Sequence, residues 1–408
     1  MKIESFTLRE IRMPLVHFFE TSFGRTTERR ILLVTAHCGG VEGWGECTAG
    51  EHPFYSEESI DTAWYVTEQF LGPALLGREI EAGQEKSSDG STCPTLRDAQ
   101  SKQTILHLLG RVRMHRMAKG AVENALWDAL AQQKQIPLHQ LLGGTRKQIP
   151  CGVSIGIQDS VEQLLDKIHA ELSAGYRRIK VKVKPGWDVD VLRRIRERWP
   201  NILLSCDANS AYTLADIEHL RRFDEFKLLM IEQPLWNDDI YSHAQLQRQL
   251  QTALCLDESI HHERHARQAA EIGACRILNI KVGRVGGFTS AIQVHNVCRA
   301  HNITNWCGGM LEAGIGRAHN IALSSLPNFE LPGDVSASSR YWKEDIIEPA
   351  VEVSPDGMIT VPQTPGRGFA VRTDLIEQLT LRKQEVRAAL TSVRRKEQEL
   401  PKPGATRQ

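Results

Sequence analysis

The first forty-odd residues alternate apolar and polar positions with the period of a strand, as in Ile31 to Ala36, and break at Gly39 and Gly40. That pattern predicts a hairpin layer from Lys2 to Trp44. From Ser59 to Leu76 and from Leu106 to Gln133 apolar residues recur at three- and four-residue steps instead, so helices should pack on that layer to give an α+β cap spanning 1–130. Between them, Glu81 to Gln103 is polar, with Ser87, Ser88, Asp89, Gly90 and Ser91 clustered. This segment (81–103) is predicted to be a mobile surface insertion.

The texture changes over 145–340, where short β-branched runs each precede an amphipathic helical stretch. The runs are Cys151 to Ile157, Arg178 to Val183, Ile202 to Ala208, Leu228 to Pro234, Ala253 to Asp257, Ile277 to Val282 and Ile303 to Cys307. Strand then helix, repeated, predicts a parallel sheet. The charged residues ending five successive runs, Lys182, Asp207, Glu232, Asp257 and Lys281, are separated by 25, 25, 25 and 24 residues. One βα unit is about that long, so all five should share one end of the sheet. In a (β/α) barrel of the TIM type that end is the mouth where active sites sit. An open doubly wound sheet is the competing arrangement, but it spreads strand ends along a line.

Strand-like pieces return over 341–372, at Ala350 to Val353, Met358 to Val361 and Phe369 to Val371, and should rejoin the cap. Residues 373–408 read as a basic amphipathic tail, a solvated C-terminal helix, with eight basic and three acidic residues from Arg382 onward.

Fifty basic side chains balance fifty acidic ones, so no global field draws nucleic acid or an anionic membrane. There is no 18-residue apolar run to cross a bilayer, and charges interrupt the first fifteen residues where a signal peptide needs an apolar core. Nine cysteines without a C-x-x-C pair fit reduced thiols in a cytoplasm.

Asp207, Glu232 and Asp257 form a hard oxygen-donor set suited to Mg²⁺ or Mn²⁺. Lys180 and Lys182 lie two apart in an apolar strand and share a face, while Val181 and Val183 take the other. Inside a barrel, desolvation and mutual repulsion should drive these lysines toward the neutral amine, the form a base needs. Lys281 makes the same argument across the mouth, with Arg284 three residues later adding positive potential. The turn from Gly308 to Gly316 permits close backbone approach to a ligand, but it carries neither a phosphate-loop nor a complete dinucleotide fingerprint. His262 to His265 misses the H-E-x-x-H spacing by one residue, so a solvated helix is expected there.

Lys-x-Lys at 180 and 182, Asp-Ala-Asn at 207–209, Ile-Glu-Gln-Pro at 231–234, Asp-Glu-Ser at 257–259 and Lys281 resemble the muconate-lactonizing-enzyme-like branch of the enolase superfamily. Trp-Gly-Glu-Cys at 44–47, Met-Ala-Lys at 117–119, Gly-Gly-Met-Leu-Glu at 308–312, Gly-Ile-Gly-Arg-Ala-His-Asn at 314–320 and Leu-Pro-Gly-Asp-Val-Ser-Ala-Ser at 331–338 narrow the likeness. They resemble o-succinylbenzoate synthases that often double as N-succinylamino acid racemases. The resemblance implies that Asp207, Glu232 and Asp257 bind Mg²⁺, that Lys182 is the acid/base tuned by Lys180, and that Lys281 faces it across the substrate. Ser154, Asn209, Gly309 and Leu311 would line the pocket. The segments Phe18 to Gly24, with Phe19 and Phe23, and Gly50 to Tyr55 would fold over it.

The implied activity is dehydration of 2-succinyl-6-hydroxy-2,4-cyclohexadiene-1-carboxylate to o-succinylbenzoate for menaquinone synthesis, with N-succinylamino acid racemisation as the alternative in the same site. Arg284 beside Lys281 favours the alternative. The expected partner is a small carboxylate, and the expected assembly a homo-oligomer. A non-catalytic barrel, or an interaction protein using the basic tail, are the readings from other classes. Three acids and three lysines buried without a ligand argue against the former.

Overall fold

The period-two stretches at the start of the chain form three antiparallel strands, Ile3–Thr21, Gly24–Cys38 and Val41–Cys47, in a computed structural model that describes residues 1–86 and 90–388. Phe6, Leu8 and Val34 are fully buried in this sheet, and the helix Arg116–Gln133 packs on it. Gly43 and Gly45 make that packing close, because a Cβ on either would overlap the helix backbone at Ala125 or Ala121.

Two predicted features differ. The segment 81–103 is not an irregular insertion: Ile80–Lys86 pairs antiparallel with Thr92–Asp98, burying Ile80, Cys93, Thr95 and Leu96. Its polarity hid a strand pair fastened across its outer face by Arg97 and Glu81, 2.7 Å apart. Ser87, Ser88 and Asp89 lie outside the described residues. Among the described residues the tail is helical only over Thr373–Leu379; Thr380–Arg387 is then a strand on the free edge of Ile3–Thr21. An unpaired strand edge offers a row of backbone donors and acceptors, and pairing satisfies them. Arg382 reinforces it, reaching Glu10 at 2.6 Å and Asp61 at 2.7 Å. The tail beyond residue 388 lies outside the described residues.

The repeating βα texture becomes a curled parallel sheet of seven strands, paired in chain order from Val153–Ile155 to Thr304–Cys307. Its two edges meet through the segment Phe329 to Asp334. On one side Asp334 N donates to Cys307 O (2.8 Å), and on the other Gly152 N donates to Gly333 O (2.8 Å) and Gly333 N to Pro150 O (3.1 Å). This seam closes a (β/α) barrel, with the β-rich cap over it, although the segment itself is not a regular strand.

Downstream, Met358–Thr360 pairs with Gln148–Pro150, and Ile347–Glu348 pairs with Ala370–Val371. Pairing stops at Glu348 and does not reach Ala350 to Val353, since Pro349 has no N–H to give a ladder. Arg367 ties this region to the cap helix through Asp128, at 2.5 Å. Among the described residues no helix is long and apolar enough to cross a membrane.

Candidate active site

Register explains why the charged residues converge. Lys182 pairs with Asp207 and Asp207 with Glu232 in direct cross-strand steps, so their side chains share one phase of the pleat. Asp257 lies two residues beyond Cys255, the partner of Glu232, which keeps the phase while following the stagger of the barrel. Ser154, Lys180 and Ser205 form the row beneath. All point into the barrel, whose outer face takes Val181 and Val183.

Asp207, Glu232 and Asp257 are fully buried, and each offers an oxygen within 4.8 Å of the others; among the described residues they are the one cluster suited to a metal ion. Three like charges this close need positive charge. Here the lysines supply it: Lys182 Nζ lies 2.6 Å from Asp207 and donates to Asn209 Oδ1 at 2.8 Å. Lys180 Nζ reaches Glu232 and Asp334, both at 2.8 Å, and Lys281 Nζ reaches Asp257 at 2.7 Å. A buried, converging, all-oxygen donor set is the coordination a hard divalent cation requires, so the residues fit such an ion.

The sequence reading had Lys180 lowered toward the neutral amine, and the structure reverses that. Burial does push its ammonium down, but Asp334, Glu232 and Asp207 around it outweigh burial and hold it above the usual lysine range. Lys281 is also held up, by Tyr55, Glu258 and Glu232 against burial, so its net shift is upward even with Arg284 nearby. Arg284 instead pairs with the same Asp257 carboxylate and donates to the carbonyls of Asn279 (2.6 Å) and Ile260 (2.8 Å). Glu258, which accepts from Asn209 Nδ2, is pushed up to about 7 by burial and by Asp207.

Above this floor lies a cavity of about 380 Å³, walled by both cap and barrel. Phe19, Phe23, Ser154, Lys180, Lys182, Asn209, Lys281, Gly309 and Leu311 all line it. Asn209 and Leu311 hold φ of +43° and +57°, and a Cβ on Gly309 would meet the Asp334 carbonyl at 2.7 Å. The hairpin tip from Phe18 to Gly24 is cross-tied to the barrel. Arg25 bonds Glu20 and, across the gap, Asp159 at 2.6 Å; Ile157 N donates to Glu20 O at 3.0 Å. The histidines at 261, 262 and 265 sit apart from the acids, half-buried at the start of the helix Glu263–Ile272, where His262 caps it.

Five further residues also shape the site. Tyr55 OH accepts from Lys281 Nζ (3.0 Å) and donates to Asp257 (3.1 Å). Asn279 Nδ2 donates to Glu232 at 2.7 Å. Asp334 bridges Lys180 and Arg178, and the Trp306 ring lies 4.6 Å from both cations. Asn279, two before Lys281 on one strand, was reachable by the alternation that paired Lys180 with Lys182. Arg178 and Lys180 hold the Asp334 carboxyl at about 2 despite its burial. Asp334→Asn should therefore leave two buried cations short of a partner and cost about 3–5 kcal/mol at neutral pH, read by denaturant unfolding. Because the folded carboxyl titrates lower than the unfolded one, that difference should be lost as pH falls from about 4 toward 2.

Two family signatures cover the chain: "Mandelate racemase / muconate lactonizing enzyme, N-terminal domain" over residues 2–143, and "Enolase C-terminal domain-like" over 163–375. An o-succinylbenzoate synthase of Geobacillus kaustophilus is 48% identical over 381 residues, covering 93% of this chain and 96% of that one. The chain belongs to the o-succinylbenzoate synthase / N-succinylamino acid racemase family of the enolase superfamily. Another family member, an N-succinylamino acid racemase of Amycolatopsis sp, is 47% identical over 385 residues, with 94% and 99% coverage. A solved enolase-superfamily member from Listeria innocua Clip11262 superposes with a TM-score of 0.85 at 37% identity, covering 95% of this chain and 99% of that chain. The two domains that these signatures describe, cap and barrel, are thus both present.

Proposed function

We propose that the protein is an o-succinylbenzoate synthase: it dehydrates 2-succinyl-6-hydroxy-2,4-cyclohexadiene-1-carboxylate, with Mg²⁺ held by Asp207, Glu232 and Asp257. The observation that carries this is the meeting of three buried carboxylates and three lysines at one cavity, in a chain 43–48% identical to relatives of that name.

A proton beside a carboxylate is barely acidic, since its removal puts a second negative charge on one small group. Mg²⁺, when bound, supplies the positive charge that offsets it. Lys182 Nζ takes the α-proton as the C–H bond breaks. The adjacent C–O bond then breaks, the leaving hydroxide takes that proton back from Lys182 as water, and the ring becomes aromatic. Lys180 holds Glu232 and Asp334 in place beneath, and Lys281 stabilises the anion from the opposite side. Phe19, Phe23 and the Gly50 to Tyr55 loop exclude water over the mouth; Ser154, Asn209, Gly309 and Leu311 shape the wall.

Racemisation of N-succinylamino acids is the second reading. It is supported by Lys182 and Lys281 lining one cavity from strand ends four strands apart in the sheet, and the Amycolatopsis relative carries that name. A cytoplasmic homo-oligomer completes the proposal, supported by nine buried cysteines and by Tyr65 and Phe70, an exposed aromatic pair on the cap.

The test is a side-by-side assay of the cyclohexadiene substrate and a panel of N-acylamino acids. Dialysis against a chelator should reduce both activities to background, and added Mg²⁺ should restore them. Turnover that survives metal removal would reject the role given to the acids.

A further inference from the structure

The two substrate classes in the proposed reading share a feature the acid–lysine floor does not address: each carries a second carboxylate at the end of a succinyl arm. The upper wall of the cavity has three arginines. Arg25 is engaged by Glu20 and Asp159, and Arg30 by Glu10 and Asp61. Arg29 differs from both. Among the described residues it has no carboxylate within salt-bridge distance; its Nη2 donates to the carbonyls of Ala49 (3.1 Å) and Thr48 (3.4 Å), and its buried Nε has no partner.

The acids whose fields reach Arg29 are already occupied: the exposed Glu51 lies 3.6 Å from Arg30, and Glu46 and Glu312 are buried. Glu46 accepts from the backbone of Ala313 (2.8 Å) and Gly316 (2.7 Å); Glu312 accepts from Met310 N (2.8 Å) and Asn320 Nδ2 (2.9 Å). Burial pushes the Arg29 guanidinium down, and those fields only partly offset it. An enclosed guanidinium that lines a cavity and lacks a counter-ion is a receptor for an anion, and its planar fork matches a carboxylate.

We propose that Arg29 is a specificity residue that receives the distal carboxylate of the succinyl arm. It selects succinyl over uncharged acyl groups in both reactions, and this rests on the family reading above. The test compares wild type with Arg29→Gln in the presence of Mg²⁺, by calorimetric binding of o-succinylbenzoate and of benzoate, which lacks the arm. kcat/KM is measured alongside for the N-succinyl and N-acetyl forms of one amino acid.

Loss of a charged hydrogen-bonding partner predicts o-succinylbenzoate binding weakened on the order of 30-fold and benzoate changed by less than about threefold. The succinyl-to-acetyl ratio of kcat/KM should fall in parallel. Arg29→Lys keeps the charge without the fork and should give an intermediate, equally selective loss, so it carries the test if the glutamine variant does not fold. Equal loss for armed and armless ligands, or none, would overturn the assignment. A wild type that neither binds o-succinylbenzoate nor turns over any of these substrates would instead reject the proposed function, and this inference with it.

Discussion

Lys182→Ala should lose dehydration by on the order of 10⁴-fold with the fold intact, because it removes both the group that takes the proton and the group that returns it. The contacts make this more than a generic expectation for a buried lysine. Lys182 Nζ sits between Asp207, one of the three clustered acids, and the Asn209 side chain, at the edge of the cavity and not beneath it. Lys180 lies in the row below and is shared between Glu232 and Asp334, so it is poorly placed to substitute. A single-turnover assay, with circular dichroism to confirm folding, decides the matter. Retention of a tenth or more of wild-type turnover would move the base elsewhere.

The second large effect is a split. Racemisation takes a proton from one face of a carbon and returns one to the other, so it needs two working bases; dehydration as drawn here uses Lys182 twice. Lys281→Ala should therefore abolish racemisation and leave dehydration reduced by about 10²–10³-fold, the usual cost of losing one group that stabilises developing charge. Tyr55 and Arg284 would still hold the Asp257 carboxylate in that variant. Equal and total loss of both activities would show that Lys281 serves the two reactions in the same way.

The convergence of Lys182, Asp207, Glu232, Asp257 and Lys281 was legible because register in a parallel barrel converts even sequence spacing into common height. Tyr55 was harder to see, since it reaches Lys281 from 226 residues away, and local patterns carry no record of a contact between cap and barrel. Asp334 lay in a motif visible in the sequence, but on a segment with no strand periodicity to say which way it points. The strand pair Ile80–Lys86 and Thr92–Asp98 and the strand Thr380–Arg387 were hidden by composition. Both are thin, half-exposed pieces whose buried residues are few, so their polarity masked the alternation. The lysine pKa argument went astray because it weighed like charges and burial before the carboxylates facing Lys180 were known.

The stretch Phe329 to Asp334 joins the two edges of the barrel with a handful of backbone hydrogen bonds and no full ladder. A ring parts first where it is stitched most thinly. That stitch also holds the carboxylate under Lys180. Warming should consequently blunt the enzyme while its helices and strands are still intact, so heat inactivation and loss of secondary structure need not share a midpoint.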